Sequence, residues 1–303
     1  MIVVAVVAAL AAACSNSLAA YLQQGANKRL SSRGSVPPSK LPVLVREPRW
    51  LLGQVFDVSA FLLQAVALAF GTLVFVEPLL VMSLPVSVGL RAWSARQRPG
   101  RLGVVGSLLC VVALSVFIGV AQPTAGSSSL DTGEAIALAI AAGVLLAICL
   151  GCAALTRGNA RAVAFAAGAS AVYGVTAGLT KVVTTQLQHG GIVQPLLGWE
   201  LYAAVLTGLS GVWLTQNALK PGSLAAPVAV ITLGDPLVAI AIGLLWLGES
   251  VNAAPWAIAV EVLAVLVMAA GVAVLAHQSE SASAPAGGED SKSAKPRAEA
   301  RHG

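Results

Sequence analysis

Charge is scarce in this chain. Asp, Glu, Lys and Arg make up 10% of its 303 residues while 57% are hydrophobic, which excludes an ordinary soluble domain, where roughly a quarter of residues are charged. Histidine is rarer still: His189, His277 and His302 all fall in loops or in the tail, so no His-based acid, base or metal cluster is expected within the apolar runs. Of the four cysteines, Cys149 and Cys152 form a Cys-x-x-Cys inside a hydrophobic run. Redox motifs of that kind need an electropositive, accessible setting and zinc needs more ligands, so the pair reads as small apolar packing. A Gly-rich phosphate loop followed by Lys is missing as well, which argues against an ATP-driven pump. The expectation is a protein that is not an enzyme and carries no cofactor.

What the chain has instead is long apolar runs. With a mean hydropathy of +0.84 and about 20 apolar residues needed per crossing, it divides into nine expected spans, roughly 2–22, 50–71, 72–92, 102–121, 134–155, 161–182, 199–219, 222–247 and 254–276. The basic pI does not imply a nucleic-acid partner, because Lys and Arg lie in short loops between spans. Those loops set orientation by the positive-inside rule. Taking alternate loops and the tail, 17 of the 18 basic residues share one side, and Lys181 alone lies at the other. This predicts a multi-pass protein of the plasma membrane with its N-terminus outside and its C-terminus in the cytoplasm. The first run, "MIVVAVVAALAAACSNS", lacks the basic stretch of a secretory signal and is expected to be a span; its "AAAC" is a poor lipoprotein box. Residues 23–49 read as a basic cytoplasmic loop against the lipid surface, and 277–303 as a disordered tail.

Two stretches resemble each other. "ALAFGTL" at Ala67–Leu73 leads into "VEPLL" at Val76–Leu80, and "ALKPGSL" at Ala218–Leu224 leads into "GDPLV" at Gly234–Val238, though the intervals of six and thirteen residues from Gly to acid differ. With spans one to four matched to six to nine, the copies have opposite orientations, the inverted arrangement of many secondary transporters. The expected organisation is a first repeat at 1–121, a connecting helix within 122–160 and a second repeat at 161–276.

A charge near the bilayer centre costs about 2.5–3.5 kcal/mol on insertion scales, so acids there need a partner, a wet cavity or a proton. Asp235 falls midway along span eight, and Pro236 removes a backbone donor and frees a carbonyl; together they are expected to interrupt the helix and meet a cation or amine. Glu77 stands before Pro78 near the outer end of span three. Asp57 lies about two turns into span two from the cytoplasm, and Glu261 about two turns into span nine from outside. Lys181 is expected as an interfacial ammonium, with Glu200 or Glu249 as the alternative partners. Among neutral groups, Asn16 and Asn217 have amides that need partners in hydrocarbon, while Gln64, Tyr173 and Thr176 add polar lining; serines are expected to serve packing.

The segment "GSLAAPVAVITLGDPLVAIAIGLLWLGES" resembles the penultimate helix of the drug/metabolite transporter superfamily, EamA-like members included, through Pro236-Leu237 and the terminal Leu247-Gly248-Glu249. "ALAFGTLVFVEPLLV" is similar to the matching helix of the first repeat. Members usually have ten helices; nine is the number in the NIPA-type magnesium branch, whose second helix carries Glu, two residues, Asn-Phe, where this chain has Asp57 and Phe61 but Ala60 in place of Asn. Asn217 is similar to an Asn in that branch's seventh helix. The resemblance implies a secondary carrier of a small solute, with Asp235, Pro236, Asn16 and Asp57 lining a central cavity and with Glu77, Asn217 and Glu261 on the pathway. The alternatives are a divalent-cation transporter using Asp57 and Asp235, or a membrane scaffold that binds a partner. Expected partners are the solute or ion and the bilayer, with a homodimer left open.

Overall fold

The computed structural model describes residues 1–31, 47–98, 100–126, 132–219 and 225–281. Most of the basic loop, the tail beyond 281, and the 220–224 part of the second repeated stretch lie outside the described residues. Among the described residues eleven helices follow one another: α1 Ile2–Ser31, α2 Pro48–Phe70, α3 Leu73–Leu80, α4 Ser83–Ser94, α5 Arg101–Ala121, α6 Thr132–Leu155, α7 Gly158–Gly190, α8 Val193–Leu197, α9 Trp199–Ala218, α10 Ala225–Leu245 and α11 Pro255–Ser281. Among the described residues the β-type pairing is one isolated bridge, Thr124 to Ser250. Helix is the form in which an apolar chain satisfies its own backbone without water.

Among the described residues eight stretches are long and apolar enough to cross a membrane, the mark of a multi-pass membrane protein: α1, α2, α3 with α4, α5, α6, α7, α10 and α11. They coincide with eight of the nine expected runs. The other run forms α9, whose 20 residues reach about 30 Å, but Glu200, Thr207, Ser210, Thr215, Gln216 and Asn217 make it more polar than the rest.

Burial separates a central helix from a peripheral one. Of the most apolar window of α7, 83% is buried inside the protein, against 11% for α6. The centre is possible because α7 is lined with small residues. Ser170, Gly174 and Gly178 stand one turn apart and face Gly234, Val238 and Ile242 of α10, so closely that a Cβ at Gly174 would lie 2.6 Å from Val238 and one at Gly178 2.7 Å from Ile242. Small residues that let helices approach are the usual means of association in lipid. Ser170 adds a hydroxyl bond to the Val230 carbonyl at 3.0 Å. A second seam joins α5 to α11, where Gly271 meets Cys110 and Gly106 meets Leu275.

Elsewhere α1 packs on α2, α3 and α4; α4 touches α5; α7 packs on α6, α9 and α10 and touches α2; α10 packs on α11 and α3.

Two expectations need correction. The helix is not interrupted at Asp235-Pro236: α10 runs through Pro236 as one helix. The interruption lies in span three, expected as a single helix, which divides into α3 and α4 at Val81 and Met82. There Val81 N donates to Pro78 O, Met82 N to Leu79 O and Leu84 N to Val81 O, so the bonds shorten to the i to i+3 type.

Candidate functional site

The site is framed by the break between α2 and α3. At Gly71 and Thr72 the backbone is extended, which leaves carbonyls at the end of α2 and N–H groups at the start of α3 without helical partners. Side chains from elsewhere meet both sets. Lys181 Nζ on α7 donates to Leu68 O at 2.6 Å and Gly71 O at 2.7 Å, and Gln188 Nε2 donates to Ala69 O at 2.9 Å. On the other side Leu73 N donates to Glu249 Oε1 at 2.7 Å and Val74 N to Glu249 Oε2 at 3.0 Å, while Thr72 caps Phe75 N at 3.2 Å. A cation thus sits at the negative end of one helix dipole and an anion at the positive end of the next. Lys181 is therefore a helix cap and not the plain interfacial ammonium expected of it; the Glu249 charge lies near enough to act on it.

Glu249 is held in place by its own loop. Gly248 takes φ 62, and Glu249 N donates to Gly243 O at 2.8 Å. The Thr124–Ser250 bridge, with hydroxyls 2.5 Å apart, and the bond from Asn252 N to Ala121 O then tie this loop to the end of α5. Glu249 is 5% exposed, so the α3 side of the break is closed, while Lys181 and Gly71 on the α2 side are partly accessible and Gln188 is exposed.

One turn below the seal is Glu77, 0% exposed. Gln64 Nε2 on α2 donates to its Oε1 at 2.9 Å, and its Oε2 is buried without a hydrogen-bond partner. Asp235 of α10 lies close enough for the two charges to interact, and its Oδ1 is likewise buried and unpartnered. The two acid-proline-leucine elements, 158 positions apart in the sequence, are thus brought together. Their prolines meet too: Pro78 and Pro236 line one apolar pocket with Val81, Phe117, Leu233, Leu237, Ile240, Val265 and Met268. That pocket is not the polar site. At 100° per residue the α10 residues lining it are centred about 150° away from Asp235, and Pro236, expected to line one cavity with Asp235, is about 100° round the helix from it and faces the apolar pocket.

Polar groups continue from Asp235 toward the opposite face of the bundle. Tyr173 on α7 lies within Coulombic reach of both Asp235 and Asp57, and its hydroxyl accepts from Thr215 Oγ1 at 3.3 Å. Asp57 accepts a hydrogen bond from Gln23 Nε2 on α1. Seven residues separate Asp57 from Gln64 on α2, which places both on one helix face. Asn16 shares in this interior. It falls within about 40° of the buried Ala5, Ala9 and Ala12 on α1, opposite the exposed Val3, Val7 and Leu10, yet Asn16 is itself exposed. An inward-facing residue that remains accessible borders an open space. Asn16, Gln23, Asp57, Tyr173 and Asp235 are all at least partly accessible, whereas Glu77 is not.

The other two expected pathway residues stand on α9 and α11. Asn217 donates to Trp213 O of its own helix at 2.8 Å. Glu261 on α11 is partly buried, with Oε1 unpartnered, and no contact connects it to Asp235 or Glu77 in the described residues. Sequence reasoning missed Gln23 and the capping roles of Lys181, Gln188 and Glu249. For Glu249 a signal was available: an acid directly after the end of α10, facing an α3 that has no acid in its own first turn, can serve that helix's N-terminus.

Fold and site together define a multi-pass helical membrane protein with a carboxyl pair buried between its two halves. An uncharacterized protein of Corynebacterium glutamicum is 30% identical to this chain over 280 residues, covering 91% of this chain and 95% of that protein. The chain belongs to the same family as that protein. No family profile matches the chain, and no solved structure matches it.

Proposed function

We propose that the protein is a secondary transporter that moves a small solute across the plasma membrane by alternating access, with two inverted four-helix repeats around the Glu77–Asp235 centre. The observation that carries this reading is the meeting of the two acid-proline elements beside an interrupted helix. Transporter sites of this kind lie between repeats, near the midplane, where a helix is discontinuous. The packing supports the repeat: α1 with α2 corresponds to α7 with α9, α1 with α4 to α7 with α10, and α4 with α5 to α10 with α11. Between the halves, matched helices meet as α3 with α10 and α5 with α11. The resemblance to the drug/metabolite transporter superfamily points the same way.

Burial of Glu249 and Glu77 beside the α2–α3 break, with accessible Asn16, Asp57 and Tyr173, supports reading the conformation as a carrier open to the side where the basic loops lie, the cytoplasm in the positive-inside reading. Magnesium has less support than an organic solute. Among the described residues no three His, Cys, Asp or Glu side chains gather as a metal site, and Mg²⁺ wants near-octahedral oxygen ligation.

The test is flux. In proteoliposomes the wild type exchanges labelled solute across the membrane and Asp235→Asn does not, although it inserts and melts normally. Full flux in Asp235→Asn removes the assignment. Melting temperature falling in parallel with function, with a partner protein copurifying, favours a scaffold instead.

A further inference from the structure

The accessible track and its sealed end carry Asp57, Asp235 and Glu77, with Glu249 at the outer edge. Among the described residues the base hydrogen-bonded beside these acids is Lys181, whose ammonium is directed to the Leu68 and Gly71 carbonyls. Among the described residues that line the track, an anionic solute would meet an excess of like charge here. The unmet valence is specific as well: the atoms Glu77 Oε2 and Asp235 Oδ1 are both buried acceptors without donors, and a carboxylate accepts hydrogen bonds but gives none. Leaving such a group unmatched costs more than a neutral hydrogen bond returns.

From these two observations we infer that the site takes an organic cation bearing N–H groups, a primary or secondary amine; the inference rests on the transporter reading. A quaternary ammonium supplies charge and no donor, so it leaves both oxygens unmet. A bare divalent ion supplies charge and finds too few oxygens. An ammonium donates to one carboxyl and keeps a further N–H for the second, with three donors in a primary and two in a secondary ammonium for the two open acceptors. Asp235, which is partly accessible, receives the amine first from the Tyr173 side. Glu77, fully enclosed beneath the Glu249 seal, completes the binding when α3 moves against α10. Asp57, already bonded to Gln23, draws the cation into the track by charge.

The probes are n-butylamine, 1,4-diaminobutane, tetramethylammonium, magnesium chloride and sodium butyrate, each titrated against the full-length protein in detergent with melting temperature as the readout, and each tested for counterflow in proteoliposomes. Ligands that bind the folded state raise the melting temperature by mass action. Expected are saturable shifts with the two amines and none with the other three. Glu77→Gln and Asp235→Asn each weaken the apparent amine affinity by at least about tenfold. Asp235→Glu, which keeps the acid, guards against a variant that fails through misfolding and retains the preference for amines. The inference is overturned if tetramethylammonium shifts the protein as far as butylamine, if butyrate or magnesium shifts it instead, if both variants bind amine like the wild type, or if neither amine shifts it, the carboxyl pair then holding a shared proton only. Amine shifts without counterflow support the inference and sink the carrier reading. Counterflow of butyrate without amine shifts does the reverse.

Discussion

Glu77-Pro78-Leu79 and Asp235-Pro236-Leu237 have nearly the same local sequence and different local structures. The first ends a helix of 8 residues and the second lies inside one of 21. The proline within the element does not decide this, since both lack the same backbone donor. Its neighbours do. Span three carries a second proline, Pro85, seven residues after Pro78, so Val81 O has no partner four residues on and accepts from Leu84 instead. The other proline of α10, Pro227, stands in its first turn, where a missing N–H costs little. A lone proline bends a membrane helix; two prolines seven residues apart divide one.

The comparison is broken most severely at the α3 end. Glu249→Ala leaves the Leu73 and Val74 amides buried without acceptors, and a loss of about 3 kcal/mol is expected from two charge-assisted bonds. Glu249→Gln keeps one acceptor oxygen and costs roughly half as much. Both are read from denaturant midpoints in a fixed detergent; equal, small losses would show that water replaces the carboxylate. No counterpart of this effect exists for α10, whose N-terminus draws on no such distant side chain among the described residues.

Next in size is the comparison of the carboxyls themselves. If the pair acts as a unit, Glu77→Gln and Asp235→Asn each abolish counterflow, and the double variant is no worse than either single. Additive partial losses would separate them into independent sites. The smallest effect isolates the prolines. Pro85→Ala lets α4 extend toward α3, seen as slowed hydrogen exchange at residues 81–85, whereas Pro236→Ala leaves exchange in α10 unchanged and stability within about 1 kcal/mol. Similar exchange changes in both variants would refute the two-proline account.

Helix positions were largely legible in the sequence because each is a long apolar run whose signal is local. Span seven was legible as a helix and less so as a crossing, since Glu200 and the Gln216-Asn217 pair dilute its hydropathy. The break in span three was legible only in part: Pro78 was noticed, but the effect of Pro85 depends on which carbonyl it deprives. Interruption at Pro236 was expected from the same rule and did not occur, because one missing bond in a helix packed tightly along Gly174 and Gly178 is not enough to end it. The caps were hidden for a different reason. Lys181 meets Leu68 across 113 positions and Glu249 meets Leu73 across 176, and periodicity within one helix contains nothing about a partner in another. Of the expected site, Glu77 and Asp235 were each singled out from the repeated motif but not paired, because their meeting depends on how α3 and α10 pack and not on either local sequence.

The stitching of the α2–α3 break also bears on how the chain is made. Every side chain that closes it from outside, Lys181, Gln188 and Glu249, belongs to a part of the chain that leaves the ribosome after α2 and α3 have already been threaded into the bilayer. Until residue 249 arrives, the first half carries bare amides and carbonyls at its apolar end. Assembly is therefore completed from the C-terminal half backward, and a chain cut short in the connecting helix presents quality-control proteases with an open helix end that only the missing half can cover.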